Sequence, residues 1–282
     1  MVIKVVSTST SCLDYYPQVH EIDLIRIKIY FNDKEFIDNH TTAYKFYEML
    51  NKNPKMIAKT SQPSVGELVI YFRQLLQKGY KKVFVTTLSK ELSGSYNTIL
   101  QAQKIVKNEI EVIVYDTATV CFSEGFFALE AYRLFAQGLS VSEVLQHLDF
   151  LKKNNTIFFV VNSLTQLIQN GRLTHMNGFL GRLFRIKPIL QVNNEGKIVL
   201  IDKHITLEKT FTSIFNKIKK YTEGKQFILH IMFTGNPDLK KDFKSFLMKK
   251  FNLTNILEIP CTPVVGAHIG NNVVGVGIIL KS

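Results

Sequence analysis

Apolar residues in the first half of the chain fall into short dense runs and into longer segments with helical spacing. The runs rich in Val, Ile and Phe predict β-strands at 2–7, 22–31, 82–87 and 111–116. Segments between and after them, with apolar residues three or four positions apart, predict helices at 42–52, 64–78, 95–107, 123–137 and 141–153. Because strands alternate with helices, this half is predicted to be a doubly wound α/β domain with a mainly parallel sheet.

The ends of these helices carry their own signals. Ser64 and Ser140 each precede a Glu by three positions, which is the pattern of a capping box at a helix N-terminus. Gly79 and Gly138 directly follow predicted helix ends, where a left-handed residue commonly closes the helix. Both signals support the predicted boundaries.

The second half has a different order of elements. Asn193–Gly196 separates two predicted strands and indicates a β-hairpin. The order predicts an α+β domain with a mixed sheet, so we expect two domains, 1–155 and 156–282, with a ligand in the cleft between them. The predicted strands of this half are 156–161, 187–193, 197–204, 226–233, 255–260 and 273–280, and its helices are a short one ending near 170, then 207–221 and 238–250.

Three hydroxyl-rich segments stand where a strand is expected to lead into a helix. They are Ser7–Ser11, Thr60–Ser64 and Ser89–Ser95. Free amides and the helix dipole at a helix N-terminus both favour negative charge, and hydroxyls add further donors. In an open α/β sheet such segments gather at the carboxyl ends of the strands. The sequence therefore predicts a site for a small anionic group, built largely from uncharged side chains.

Composition and charge bound the class of protein. Of the 282 residues, 46% are hydrophobic and 21% charged, as in an ordinary globular protein, and no apolar run reaches the roughly 18 residues of a membrane-spanning helix. The formal net charge of +12 is compatible with a solvated basic surface or with a docking face for an acidic partner, including transient contact with a membrane surface. The basic residues are dispersed and no nucleic-acid motif accompanies them, so no nucleic acid is expected as a partner.

The three cysteines are Cys12, Cys121 and Cys261, far apart and without a C-x-x-C pair. They are expected to be free thiols in a reducing cytoplasm. The N-terminus leads straight into a strand, without the pattern of a signal peptide. Cys12 lies beside the first hydroxyl segment, where we expect a small, half-buried side chain.

The sequence lacks the common signatures of self-sufficient catalysis. Ser93 does not lie in a G-x-S-x-G elbow, and there is no phosphate-binding P-loop and no metal-ligand spacing. Asp116, alone at a strand end, is expected to make a structural hydrogen bond. Arg172 follows a helix end and could be a solvated cap or reach into a cleft, and His268 could be a structural histidine or contact a ligand. We therefore expect no catalytic residue, no metal and no cofactor.

Five motifs, in order and at the expected separations, resemble the DegV family along essentially the whole chain. They read T-S-Q-P-S at 60–64, L-S-K-E-L-S-G-S-Y at 88–96, N-G-R-L-T at 170–174, I-K-P-I-L at 186–190 and G-A-H-I-G at 266–270.

The resemblance implies a protein that binds a long-chain fatty acid between two α/β domains. In bacteria, members of this family are the fatty-acid-binding subunit of fatty acid kinase. They present the carboxylate to a separate ATP-binding kinase subunit, and the acyl phosphate formed feeds phospholipid synthesis. Carried over by position, the residues implied to contact the carboxylate are Thr60, Ser61, Ser93, Gly94, Arg172 and His268.

The chain departs from the family pattern around this site. The family usually carries Asp where Thr8 stands, and often where Cys12 stands. The usual acidic pair before the G-R motif is Asn162–Ser163, and Ile205 fills an arginine position of a basic segment. These changes bear more on the use of a kinase partner than on lipid binding.

Three other functions remain open from the residues. The chain could carry another small apolar acid without a kinase partner. Its charge leaves a basic nucleic-acid-binding protein as a different class. A hydrolase or kinase using Asp116 and His268 would have to turn over substrate alone.

Overall fold

The computed structural model describes residues 3–18, 21–31, 34–53, 56–173, 186–235 and 237–281. The strands in chain order are β1 (Ile3–Thr8), β2 (Asp23–Ile25), β3 (Lys28–Phe31), β4 (Lys34–Ile37), β5 (Lys59–Ser61), β6 (Lys82–Thr87), β7 (Glu111–Asp116), β8 (Asn155–Val160), β9 (Lys187–Val192), β10 (Ile198–His204), β11 (Phe227–Thr234), β12 (Leu257–Pro260) and β13 (Val273–Leu280). The α-helices are α1 (His40–Lys52), α2 (Val65–Gln77), α3 (Ser95–Val106), α4 (Phe122–Ala136), α5 (Val141–Lys153), α6 (Thr165–Gln169), α7 (Leu207–Tyr221), α8 (Pro237–Phe251) and α9 (Pro263–Ile269).

The first sheet is parallel and covered on both faces. Its order is β2-β1-β6-β7, and every pair is parallel. Side chains alternate between its faces, so Val5 and Phe84 pack with α4 while Val6 and Val85 pack with α2 and α3. The predicted doubly wound parallel sheet is confirmed.

The second sheet is mixed, with the order β10-β9-β8-β13-β11-β12. Its neighbours are antiparallel except β11 and β12, which are parallel. Phe158 and Val160 face the core under α7 and α8, whereas Ile157 and Phe159 belong to the core shared with the first sheet. One apolar layer therefore lies between the two sheets, and the predicted mixed sheet is confirmed. Residue 155 opens β8, and the domain boundary placed there stays a prediction.

The predicted strand 22–31 is wrong as a single element. It forms β2 in the parallel sheet and β3 in a separate antiparallel sheet of order β4-β3-β5. The chain leaves the first sheet at Arg26, whose guanidinium donates to Asp14 and to the carbonyl of Asp38. The amide of Ile27 then donates to Ser9 Oγ at 3.2 Å instead of to a strand. This break creates the small sheet that carries Thr60.

The glycine-containing segment before the last strand is a helix, α9, which the sequence analysis missed. Pro263 begins it, as suits a first helical position. The amide of Val264 donates to the buried carboxylate of Asp38 at 3.0 Å, satisfying one free helix donor. The Tyr47 hydroxyl donates to the carbonyl of Cys261 at 2.9 Å, just before the helix. These contacts fix α9 against the first half of the chain.

The capping signals are confirmed. Ser64 and Ser140 both form complete capping boxes with the Glu three residues later. Gly79 and Gly138 have left-handed φ values of 94° and 86°. Within the described residues, no helix is long and apolar enough to cross a membrane.

Candidate functional site

A cavity lies where β5, the segment after β6, the end of α6 and α9 meet. Most of its lining is apolar. Its polar lining residues are Thr10, Thr60, Gln62, Ser93, Arg172 and His268. Four of the six residues predicted to contact a ligand therefore share one cavity, which brings both halves of the chain together.

Thr60 and His268 are joined directly across this cavity. The Thr60 Oγ1 and His268 Nε2 atoms lie 2.8 Å apart. Burial, followed by the positive charge of Arg172, lowers the pKa of His268 to about 4. The His268 ring is therefore neutral near pH 7. Its Nδ1 atom is buried and has no partner among the described residues, which leaves it free for a ligand.

Ser93 lies in a tight turn before α3. Its amide donates to the carbonyl of Ser89 at 3.1 Å, and its Oγ lies 2.9 Å from Ser95 Oγ. The Ser95 amide also donates to Ser93 Oγ at 3.2 Å. Ser89 Oγ in turn donates to the carbonyl of Gly196 in the β9–β10 hairpin at 2.8 Å. The hairpin thus holds the segment that presents Ser93.

Arg172 is the cationic group of the cavity. Its Nε donates to the carbonyl of Leu92 at 3.1 Å, and its Nη1 donates to the carbonyl of Asn170. Burial lowers the pKa of its guanidinium below the ordinary value. Among the described residues no carboxylate pairs with it, so a partly buried positive charge faces the cavity with only carbonyl partners. Such a charge favours an anionic ligand.

Ser61 and Gly94 are not brought into the lining of this cavity. Ser61 is exposed on β5, and its Oγ donates to the carbonyl of Gln62 at 3.3 Å. Gly94 begins α3 beside the Gln62 side chain, and a Cβ there would lie 2.4 Å from Gln62 Oε1. Gly94 therefore leaves room for Gln62, which does line the cavity. Their roles as ligand contacts stay predictions.

The hydroxyls of the first hydroxyl-rich segment contact a carboxyl group that the sequence analysis did not identify. Glu124, on α4 and fully buried, accepts from Ser7 Oγ at 3.3 Å, from Thr8 Oγ1 at 2.5 Å and from Thr10 Oγ1 at 2.6 Å. A carboxylate is thus present beside Thr8, although residue 8 itself is not acidic. Burial raises the pKa of Glu124 to about 8, although these hydroxyls act to lower it. Thr10 alone of this cluster lines the cavity.

A second cavity, almost entirely apolar, adjoins the first. Its walls include Ile157 and Phe159 of β8, Val192 of β9 and Met232 of β11, so it lies against the inner face of the second sheet. The residues that line both cavities are Val120, Ile198, Val265 and Ile269. Together the cavities offer a polar end and an apolar end to one ligand.

The cysteines meet at the wall of the apolar cavity. Cys121 Sγ and Cys261 Sγ lie 3.9 Å apart, and Cys12 Sγ donates to the carbonyl of Thr10 at 3.4 Å. All three are free and buried, so the expectation of a half-buried Cys12 is wrong. Cys12 closes the first hydroxyl segment in a left-handed conformation, with φ 58°, which places its side chain inward.

The remaining predicted residues lie outside the cavity. Asp116 accepts from the amides of Lys90 and Ala118 at 3.2 and 3.0 Å, which are structural hydrogen bonds. Asn162 is exposed and accepts from Lys187, and Ile205 is 73% exposed. In the described part of the chain, no cluster of three or more His, Cys, Asp or Glu side chains is arranged to hold a metal ion.

Fold and site together define an α/β binding protein with an amphipathic cavity between two sheets. A family model described as "Uncharacterised protein, DegV family" matches residues 2–281, and the chain belongs to this family. Protein DegV of Bacillus subtilis strain 168 is 29% identical over 283 residues, covering 98% of each chain.

Two solved structures show the same fold over the whole chain. One is DegV from Bacillus subtilis, described as a fatty acid binding protein, with a TM-score of 0.85, 27% identity and 100% of each chain covered. Another is a DegV lipid binding protein from Thermotoga maritima, with a TM-score of 0.86 and 25% identity, covering 100% of this chain and 99% of that one.

Proposed function

We propose that this protein binds one long-chain fatty acid, with the carboxylate at the polar cavity and the acyl chain in the apolar cavity. The observation that carries the proposal is the pairing of these two cavities, one with an Arg172 that no described carboxylate neutralises and the other almost purely apolar. Relatives of 25% and 27% identity that are described as lipid and fatty acid binding support it.

The two ends of the ligand would have different roles. Burial of each methylene contributes about 0.8 kcal/mol, so a long acyl chain contributes roughly 10 kcal/mol before ordering costs. A hydrogen bond to the carboxylate contributes about 1.5–3 kcal/mol. The acyl chain therefore supplies most of the affinity, and the polar groups determine which end lies at the polar cavity.

The polar end offers several donors to a carboxylate. Arg172 supplies charge and Ser93 a hydroxyl. If Thr60 donates to His268 Nε2, the neutral ring carries its proton on Nδ1 and can donate it to the ligand. Hydroxyl and imidazole groups can donate hydrogen bonds to a carboxylate and to an acyl phosphate alike. Ser61 and Gly94 belong to the proposed set through the family resemblance, next to Thr60 and Ser93 in the chain.

We further propose that the protein presents the carboxylate to a separate ATP-binding kinase subunit and has no catalytic residue of its own. The family resemblance supports this step. A surface groove is lined by Lys209, Lys217 and Lys220 together with one acidic residue, Glu208, and its excess of basic side chains suits an acidic partner or a transient contact with a membrane surface. The free, buried thiols fit a protein of the reducing cytoplasm.

The binding proposal is tested by measuring affinity for a fatty acid and for its methyl ester. Arg172→Ala and Ser93→Ala should weaken binding of the acid by about tenfold or more and change ester binding little, because only the acid carries the charge. Arg73→Ala is the matched control, since Arg73 pairs with Glu109 on the surface at 2.8 Å. Equal affinities of Arg172→Ala and Arg73→Ala for the acid would contradict the assignment.

The presentation step needs its own experiment. The protein loaded with fatty acid is mixed with ATP and a purified fatty acid kinase subunit, and acyl phosphate is measured. The proposal expects product only when both proteins are present. Product from this chain alone would show a catalytic protein, and fatty acid binding without product would indicate a carrier without a kinase partner.

A further inference from the structure

Glu124 is a fully buried carboxyl group one hydroxyl away from the polar cavity. Its Oε2 accepts from Thr10 Oγ1 at 2.6 Å, and its Oε1 accepts from Thr8 Oγ1. Thr8 Oγ1 and Thr10 Oγ1 are themselves 2.7 Å apart, with either atom able to donate. Ser7 Oγ also donates to Oε1, at 3.3 Å, so Glu124, Ser7, Thr8 and Thr10 form one hydrogen-bonded cluster, which Thr10 connects to the cavity.

The charged side chains on the elements packed against α4 are engaged elsewhere. No acidic or basic side chain occurs on β13 or in the segment 9–11. The other nearby titratable groups are the thiols of Cys12 and Cys121, His230, which contacts Ser123, and His268 and Arg172 in the cavity. The buried carboxyl group of Asp38 hydrogen-bonds Ser9 and the amide of Val264, and burial raises its pKa to about 7. The ion pairs and hydrogen bonds of the remaining groups are Lys4 with Asp23, Lys82 with Glu111, Glu143 with Ser140, His147 with Glu130, Lys152 with Asp116, and Asp149 with Tyr115, while Lys153 is exposed.

The protonation state of Glu124 decides what Thr10 can offer a ligand. An ionised carboxylate only accepts, so it holds the protons of both threonines and leaves Thr10 with nothing to donate. A neutral carboxyl group with its proton on Oε2 donates that proton to Thr10 Oγ1, 2.6 Å away. The hydroxyl proton of Thr10 is then free to point into the cavity. An ionised Glu124 would also add a negative charge beside the ligand's own.

We propose that Glu124 is a positioning residue for the polar cavity, acting as a neutral acid that lets Thr10 donate to the anionic end of the ligand. The inference rests on the proposed function and adds that ligand binding is coupled to a proton on Glu124. The burial of Glu124 raises its pKa to about 8, which keeps it neutral near pH 7.

The coupling has a definite sign. Binding of an anion favours the protonated form of Glu124. Above the pKa that Glu124 has in the ligand-free protein, Glu124 must take up a proton when the ligand binds. The affinity therefore falls by up to about tenfold per pH unit. A long-chain alcohol carries no charge, and its hydroxyl can either accept from Thr10 or donate to it, so its binding should show little of this dependence.

The test compares wild type, Glu124→Gln and Thr10→Val in fatty acid affinity between about pH 6.5 and pH 9.5, together with a long-chain alcohol as an uncharged ligand. Glutamine has the shape of the neutral acid and cannot ionise, so the affinity of Glu124→Gln should be nearly independent of pH. Between about pH 7 and pH 9 we expect wild type to lose about tenfold or more, Glu124→Gln to change less than about twofold, and alcohol binding to stay level.

Thr10→Val provides the second arm, because it removes the hydroxyl while keeping both its shape and Glu124. It should bind the fatty acid more weakly at pH 7 and show a shallower pH dependence than wild type. Equal pH profiles for wild type and Glu124→Gln would overturn this inference and leave fatty acid binding intact. If the wild type binds no fatty acid at any pH, the proposed function fails and this inference fails with it.

Discussion

Thr60 Oγ1 lies 2.8 Å from Nε2 of His268, although 208 residues separate the two along the chain. Thr60 is on β5, paired through Ile29 to the small antiparallel sheet, and His268 is on α9. Their contact brings a strand of the first half and a helix of the second half to one polar cavity. It also holds the His268 ring so that only Nδ1 remains for a ligand.

His268 should make stability depend on pH in a defined range. The unfolded histidine gains its proton near pH 6.5, while the folded one stays neutral until about pH 4. Its contribution is therefore present above about pH 6.5 and is lost as pH falls toward 4. Between pH 7.5 and pH 4.5 the unfolding free energy of wild type should fall by on the order of 2 kcal/mol more than that of His268→Gln, as measured by urea unfolding. The same pH dependence in both proteins would contradict the low pKa.

Gly277 should tolerate no side chain. A Cβ there would lie 2.1 Å from His230 Nε2 and 2.8 Å from Ser123 Oγ. We expect Gly277→Ala to lower the unfolding free energy by about 1–3 kcal/mol through overpacking. Gly66→Ala is the control, because no atom lies within 4 Å of its added Cβ and it should stabilise α2 by about 0.5–1 kcal/mol. Equal midpoints in denaturant for the two variants would count against the packing described between α4 and the second sheet.

The apolar cavity should determine the length of the acyl chain. Val192 lines that cavity and not the polar one, so Val192→Phe should fill its volume without touching the carboxylate contacts. We expect affinity for the longest fatty acids to fall about tenfold or more, at about 0.8 kcal/mol for each displaced methylene, while a shorter acid binds as before. A titration across chain lengths measures this. A uniform loss at every length would mean that the acyl chain lies elsewhere.

The three thiols should be inert in the folded protein. Cys12, Cys121 and Cys261 are each 5% exposed or less, and burial raises the pKa of the Cys12 thiol. Reaction with a thiol reagent needs both access and the thiolate. We expect no rapid reaction in the native state and three reacting thiols in denaturant, measured by absorbance. Rapid reaction of one native thiol would show that the wall of the apolar cavity opens to solvent.

The sequence was most informative where local signals and long-range packing agree. The capping boxes at Ser64 and Ser140 were readable because a cap needs only residues three positions apart. The parallel sheet followed from strands that are apolar on both faces. The strand expected at 22–31 failed because Arg26 turns toward Asp14, a contact that no local pattern reveals.

The site was predicted less completely than the fold. Arg172, Ser93, Thr60 and His268 could be named through the family resemblance, because their motifs are short and specific. Glu124 was missed, since a Glu in a helix that also carries Glu130 and Arg133 gives no sign of which loop it will contact. The available clue was Thr8, because the family usually carries Asp at this position. A loop that lacks an expected carboxylate can receive one from another element of the fold.

The central claim is that the adjoining cavities hold one fatty acid. Native mass spectrometry of protein purified without detergent tests it most directly, before and after incubation with a mixture of long-chain fatty acids. The account predicts one discrete added mass for each protein molecule, equal to a single fatty acid and much reduced in Arg172→Ala. Wild-type protein that stays at its unliganded mass after incubation would contradict it.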